Sequence, residues 1–232
     1  MKAIKFKIYG NWAHFKKSET NNNPLTHDFI TKTALIGLIG SVLGYDRNVM
    51  KELFPQLCED FLYGVQILNN VKKEPWGFTT RNVRNNLKKS RKYFEILKNP
   101  SNLIALSLLN KRSEEIFDLF KISLLNNISK YTPVLGLHNC PANLVFDSEG
   151  NFSDKKNGRF KAKCIISKNH KLFKLNELNF RIGFEKIPTY QNNDFWNLPE
   201  KFVEVIYCDN GNDIDVEGDY YEYNDLEKWW LI

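Results

Sequence analysis

The chain is poor in the residues from which metal and redox sites are built. Its four histidines (His14, His27, His138, His170) are scattered, with no HxxxH pair, so no zinc-binding spacing is present. The four cysteines (Cys58, Cys140, Cys164, Cys208) are as widely spread, and no CxxC occurs. That pattern excludes a local zinc ribbon or redox dithiol; such thiols are expected to be reduced and buried in a cytosolic protein. No glycine-rich stretch ends in GKS or GKT, which excludes a P-loop. No apolar run reaches the roughly 18 residues of a membrane helix. The opening MKAIKFKIYG alternates lysine with apolar residues and holds no apolar signal-peptide core. The expectation is a cytoplasmic protein with no metal, no cofactor and no membrane partner.

What the chain has instead is aromatics and unevenly placed charge. Phe, Tyr and Trp make up 14% of the residues, enough to exclude wholesale disorder. With 232 residues it can bury the core of one domain or of two small ones. Net charge is +6, yet residues 72–92 alone hold eight cations against Glu74, which is +7. From residue 200 onward ten acids face two lysines, which is −8. A basic body with an acidic end suggests a polyanion partner, and a second surface that avoids it or meets another protein.

Residues 3–9 alternate and predict a strand; residues 10–24 form a polar, basic and aromatic loop. Residues 25–45 predict a helix capped by Thr26 or Asp28. Gly37, Gly40 and Gly44 share one face of it, a costly choice that predicts close contact with another backbone. A helix from 46 is predicted to break at Pro55. Residues 61–68 read as a central strand. The basic window predicts a hairpin arm at FTTRNVRNN and a second arm or short helix at LKKSRKYF. Residues 113–129 predict a helix burying Phe117, Phe120, Leu124 and Ile128. Strands follow at 144–146, 159–167, 180–184, 201–208 and 214–223, with turns at 147–158 and 187–189. Strand, helix, strand, basic insert, helix suits an α+β fold: a ferredoxin-like (RRM-like) domain at 1–145 with an insert at about 70–95. A β-rich region occupies 146–232.

RNA binding needs cations near phosphates and aromatics on which unpaired bases stack. The basic window offers Arg81, Arg84, Lys88, Lys89, Arg91 and Lys92 for phosphates, beside Trp76, Phe78 and Tyr93. A charge run is often only a solvated hairpin, but this window exceeds the charge of the whole chain. The loop at 10–23 adds Trp12 for stacking, His14 for a base and Lys16 and Lys17 for phosphates; it also reads as a plain surface loop. His27 is a second base-contacting candidate. Thr31 and Lys32 lie where the first helix would present free N–H groups to a phosphate. Catalysis by His14, His27 or His138 with Tyr45 or Lys32 has no short motif behind it, and no catalytic residue is assigned. The loop PVLGLHNCPAN is either a ligand- or partner-facing turn or a chain reversal between domains.

Three segments carry a resemblance. Gly10, Ala13, Phe15 and Lys16 close the first strand; Thr26, Phe29, Thr33, Ala34, Gly37 and Gly40 run through the first helix; Pro133, Leu135, Gly136, Pro141 and Ala142 mark the later loop. Together they resemble the fifth family of CRISPR-associated proteins, the RAMP-type subunit of type I Cascade complexes, most closely in the style of type I-B. The resemblance covers residues 1 to about 145. It implies a ferredoxin-like domain with an inserted hairpin, the thumb, at the basic window. It implies a subunit that caps the 5′ handle of the guide RNA in antiviral defence and joins the backbone and large subunits, with target DNA as a further partner in the complex. Most members do not cut RNA. One branch, type I-C, is a metal-independent ribonuclease with a Tyr, Lys, His set in which Lys and His are adjacent. Here only the reverse order occurs, His170-Lys171.

Overall fold

The computed structural model describes residues 1–81, 89–194 and 198–232. Strand β1 (Lys2–Tyr9) turns Ile4, Phe6 and Ile8 into the core, all of them fully buried. A two-residue strand β2 (Trp12–Ala13) follows. Helix α1 (Lys32–Leu43) begins later than predicted, capped by Thr31, whose hydroxyl accepts from the Ala34 N–H at 3.3 Å. Thr26 and Asp28 do not cap it because both have other partners. Thr26 accepts from the Phe15 N–H at 2.9 Å; Asp28 holds the Lys73 ammonium at 2.5 Å and accepts from the Tyr207 hydroxyl. Among the described residues, the nearest neighbours of the helix glycines are side chains rather than a foreign backbone. Gly40 makes room for the Met50 side chain, and Gly44 takes a left-handed cap at φ 78°.

Helix α2 (Arg47–Asp60) runs through Pro55 rather than stopping there, with Asp46 capping its N-terminus. Lys51, whose carbonyl Pro55 cannot engage, lies on the exposed side. Strands β3 (Phe61–Ile67), β4 (Lys73–Arg81), β5 (Lys89–Lys98) and β6 (Ser101–Leu108) precede α3 (Glu114–Leu125) and β7 (Asn143–Asn151). The main sheet is antiparallel in the order β3-β6-β1-β7. Its first strand thus lies between its third and fourth, the ferredoxin-like arrangement, and β4–β5 is inserted between its second and third. The expected boundary at 145 falls inside β7, which pairs with β1 as far as Asn151.

One face of this sheet carries α1 and α3, with Phe6 edge-on to Phe120 at 5.5 Å and Phe61 to Phe117 at 6.1 Å. Ile128 lies past the end of α3 and is exposed. Asp60, fully buried, accepts from Asn110, Arg112 and Ser113 and so pins α2 to the start of α3. The opposite face packs on Phe152, Tyr223, Trp229 and Leu231. Part of the sheet surface with which an RRM grips RNA is therefore covered. The outer strand β3 is no free edge: Tyr63 and Ile232 exchange backbone hydrogen bonds at 2.9 and 3.0 Å. This explains why it reads like a central strand.

The remaining strands are β8 (Lys156–Ala162), β9 (Ile166–Ser167), β10 (Lys171–Leu172), β11 (Ile182–Tyr190), β12 (Lys201–Cys208), β13 (Ile214–Tyr223) and β14 (Glu227–Trp229). β12 and β13 have the predicted limits. Residues 187–189 belong to β11 and are not a turn. Proline is tolerated there because β11 is an outer strand and its register shifts beside Pro188. Gly218 does not break β13; it lies opposite Gly158 of β8. All four cysteines are free and buried, and burial pushes the thiols of Cys58 and Cys164 up to about 11 and that of Cys208 to about 12.

Candidate nucleic-acid interface

The basic window folds as the β4–β5 hairpin, and strand alternation sorts its side chains onto two faces. Trp76 opposite Phe94 and Phe78 opposite Lys92 share one face; Gly77 opposite Tyr93, Thr79 opposite Arg91 and Arg81 opposite Lys89 share the other. The first face is an aromatic brace. Phe78 meets Phe94 at 5.1 Å, Trp76 meets Trp12 at 4.7 Å, and Phe94 meets His14 at 5.5 Å. Because β2 pairs with the end of β5, this brace fixes the hairpin to the loop after β1. Lys73 fixes it a second time, with its ammonium 2.5 Å from Asp28 and 3.1 Å from Glu95. Burial disfavours that charge, but the two carboxylates outweigh it and hold the Lys73 pKa above the ordinary lysine value.

The second face is cationic and open. Arg81, Lys89 and Arg91 are exposed, and none forms an ion pair with a described residue. Arg81 stands directly across from Lys89, a like-charge pairing that destabilises a bare hairpin and that a phosphate between them would relieve. Tyr93 shows a half-exposed ring on this face. Lys92 lies on the aromatic face. Arg84 and Lys88 lie outside the described residues.

The structure places the other predicted residues differently. Lys16 is exposed, its ammonium 3.4 Å from the Asn21 side-chain oxygen. Lys17 and His27 converge on one buried carboxylate, Glu185 of β11, at 2.9 and 3.1 Å. Burial raises the Glu185 pKa, but hydrogen bonds from His27 and Lys17 outweigh that and hold it below the usual range. Thr31 serves as the α1 cap. Lys32 is buried and donates to the Ile232 backbone oxygen at 3.0 Å, and burial lowers its pKa to about 8. Lys17, His27, Thr31 and Lys32 therefore bind the chain to itself. Trp12 and Trp76, both half-buried, lean edge-on against each other. His14 is buried, with Nδ1 2.7 Å from the Glu95 carbonyl oxygen and Nε2 without a partner. Its pKa is lowered by burial.

Glu185, Glu95 and Phe94 organise the site and were not singled out from sequence. Glu185 is 158 residues from His27, and no local pattern signals such a pairing. The loop after α3 docks on the same region: the His14 N–H donates to the Leu135 oxygen at 2.9 Å, and Gly136 (φ 88°) lies on the His14 backbone. The acidic end of the chain meets basic partners. Asp215 pairs with Arg159, Glu222 with Lys156, Glu204 with Lys168, Asp219 with Lys155 and Glu227 with Lys5. Among the described residues no three of His, Cys, Asp and Glu gather to hold a metal ion. No helix among them is long and apolar enough to cross a membrane.

A ferredoxin-like sheet, a cationic hairpin between its second and third strands and a β-rich extension define an α+β fold of the RAMP type. Residues 3–111 match the family model described as CRISPR-associated protein (Cas_Cas5). Residues 3–111 are thus similar to that family, over somewhat less than half of the chain. No curated protein matches the chain significantly. Among solved structures, a CRISPR protein from Archaeoglobus fulgidus aligns with a TM-score of 0.63 at 15% identity, covering 100% of this chain and 99% of that one. A chain of a CRISPR RNA-guided surveillance complex aligns with a TM-score of 0.52 at 10% identity, over 94% and 91% of the two chains. A chain of the type III-B Cmr-beta complex bound to cognate target RNA gives 0.51 at 9% identity, over 92% and 86%. At these identities the likeness is one of fold.

Proposed function

We propose that the chain is a non-catalytic RNA-binding subunit of a type I CRISPR Cascade effector complex, in the manner of type I-B. It holds the 5′ handle of the guide RNA and adjoins the backbone and large subunits, acting in the cytoplasm. The observation that carries this reading is the open cationic face of the hairpin: Arg81, Lys89 and Arg91, unpaired among the described residues, on a domain similar to the Cas5 family. A row of exposed cations with no acid beside it, on one face of a hairpin, is suited to phosphates. The fold is shared with chains of an RNA-guided surveillance complex and of a complex bound to target RNA, which supports RNA as the ligand.

The non-catalytic part rests on the histidines. Metal-independent RNA cleavage needs a free base and a free acid beside the reacting ribose. His14 is buried, His27 is held by Glu185, and His170 lies between the backbone oxygens of Ser167 and Asp219 at 3.1 and 2.9 Å. His138 alone is exposed, on the loop after α3. The test is incubation of the purified protein with its own CRISPR repeat RNA in EDTA, read on a denaturing gel beside a binding gel. Intact RNA in a retarded complex is the expected result. A discrete cut would replace this reading with that of a guide-processing endoribonuclease, and absence of both would overturn a handle site complete within this chain.

A further inference from the structure

The turn between β13 and β14 carries a leucine that the fold does not use. Leu226 is 85% exposed, more than any other large apolar side chain among the described residues. The turn itself is firmly built. Asn224 and Asp225 are left-handed, at φ 49° and 57°, a conformation that Asn and Asp adopt more readily than other residues with a side chain. The Leu226 N–H donates to the Tyr223 oxygen at 3.1 Å, and the Asn224 N–H to the Asn151 oxygen at 3.0 Å. The Asn224 side-chain oxygen accepts from the Asn151 N–H at 2.9 Å, so the turn is tied to the end of β7. A leucine held outward on such a turn gives up little backbone freedom when a partner covers it.

Leu226 lines a cleft of about 510 Å³ where the main sheet meets the C-terminal strands, together with Gln66 and Leu103 of the sheet and three lysines, Lys161, Lys163 and Lys228. The lining holds a single acid, Glu227, and the Lys5 ammonium already occupies it at 2.8 Å. Lys163 is exposed and has no ion pair with a described residue. Lys161 is exposed and only 3.9 Å from Asp213, and Lys228 lies over the Tyr220 ring at 4.6 Å. The cleft is therefore cationic, yet it is a poor seat for a base. Its rings, Phe160 and Trp229, are 5% and 3% exposed and offer no open face for stacking. It includes no residue of the β4–β5 hairpin. Along the sheet the surface continues from Leu103 to Lys7 and from Lys7 to Val145, opposite one another in register, and the last two are exposed.

We infer that this turn and cleft form a docking surface for a neighbouring protein subunit, which presents an acidic side chain beside an aliphatic one. The carboxylate meets the three lysines, and the aliphatic group packs on Leu226 and Leu103. Charge selects the partner: three lysines against one acid that Lys5 neutralises admit a carboxylate and reject a lysine or arginine. The exposed leucine selects a protein over a nucleic acid, because a phosphate backbone offers it no apolar surface to cover. The inference rests on the reading of this chain as a subunit of a complex, and it assigns the surface and the chemistry of one contact.

The test puts the photocrosslinker p-benzoylphenylalanine in place of Leu226 and irradiates the complex reassembled from this chain, guide RNA and the other subunits. Mass spectrometry then identifies what is crosslinked. The expected product is a segment of another protein subunit with an aspartate or glutamate beside an aliphatic residue. In a second arm, Leu226→Asp combined with Lys163→Glu is expected to enter the complex about tenfold less well, the scale of one strong interface contact. Its melting temperature and its affinity for handle RNA should match the natural protein, because both side chains are exposed and outside the hairpin. A crosslink to RNA, or a loss of RNA affinity in the double variant, would give the surface to nucleic acid and overturn the inference. A crosslink to a segment without an acid, no crosslink within an assembled complex, or normal assembly of the double variant would overturn it while the subunit reading stands. If the natural chain joins no complex at all, the subunit reading falls, and this inference with it.

Discussion

On the β4–β5 hairpin, Arg81 faces Lys89 across the ladder, and Arg91 is exposed on the same face. Between Glu204 and Glu227, by contrast, six acids each lie within 4 Å of a lysine or arginine. The cationic face of the hairpin leaves its charge unmatched, while six of the ten acids from residue 200 onward hold a cation of the same chain. A window of +7 and a segment of −8 look like opposite surfaces in the chain, yet more than half of the second is already paired. The acidic end, expected from its charge to face other proteins, largely faces residues 155–168 of the same chain. Unmatched like charges are a cost to the isolated fold that a polyanion removes. Matched ones on the surface contribute little to stability and have little left to offer a ligand.

Three experiments break or sharpen this contrast. The largest effect is expected from replacing Arg81, Lys89 and Arg91 together by alanine. Affinity for handle RNA should fall by roughly a hundredfold at moderate salt, and the slope of log affinity against log salt should flatten by about 0.7 for each phosphate no longer neutralised. The melting temperature should hold or rise, since a like-charge pairing is relieved. Unchanged affinity and slope in a binding titration would end the hairpin assignment.

The second experiment is Glu185→Gln. It leaves the Lys17 ammonium without its buried partner, and chemical denaturation should show a loss of about 3 kcal/mol near neutral pH. Glu185 is held below the usual carboxylate range by His27 and Lys17, against the opposing effect of burial. A depressed native pKa stabilises the fold above the unfolded value, near 4.3, and that stability disappears as pH falls through the native value. The gap between the natural protein and Glu185→Gln should therefore shrink below about pH 4. A gap independent of pH would show that the clamp is not ionic. The RNA affinity of the folded variant should match the natural protein.

The smallest effect is expected from Arg159→Ala, which removes a cation already paired with Asp215 at 2.5 Å. Its melting temperature should move less than that of Glu185→Gln, and its RNA affinity and salt slope should stay unchanged. A salt slope flattened as far as in the hairpin variant would erase the distinction between the two regions.

Much of the fold was legible because it rests on local periodicity. Alternation marks β1, β12 and β13, and the three- and four-residue spacing of Phe117, Phe120 and Leu124 marks the buried face of α3. The hairpin was legible from the concentration of charge at residues 72–92. Most of the misreadings share one cause. Thr26 and Asp28 look like helix caps but bind Phe15, Lys73 and Tyr207 instead. Pro188 looks like a turn, yet sits in an outer strand. In each of these a tertiary partner or a place in the sheet outweighed a local preference worth a few kcal/mol at most. Pro55 looks like a helix stop but sits inside α2, where the Lys51 carbonyl it leaves unengaged is on the exposed side.

The amino-acid order by itself determined which segments alternate, where helices run and where the cations gather, because those depend on neighbours a few residues away. Only the tertiary structure decided which of the cations are free. His27 finds Glu185 across 158 residues, Asp28 finds Tyr207 across 179 and Lys32 finds Ile232 across 200. Whether a charged or polar side chain serves the fold or a ligand depends on what lies within about 4 Å of its tip, and that distance is set by packing between segments far apart in the chain.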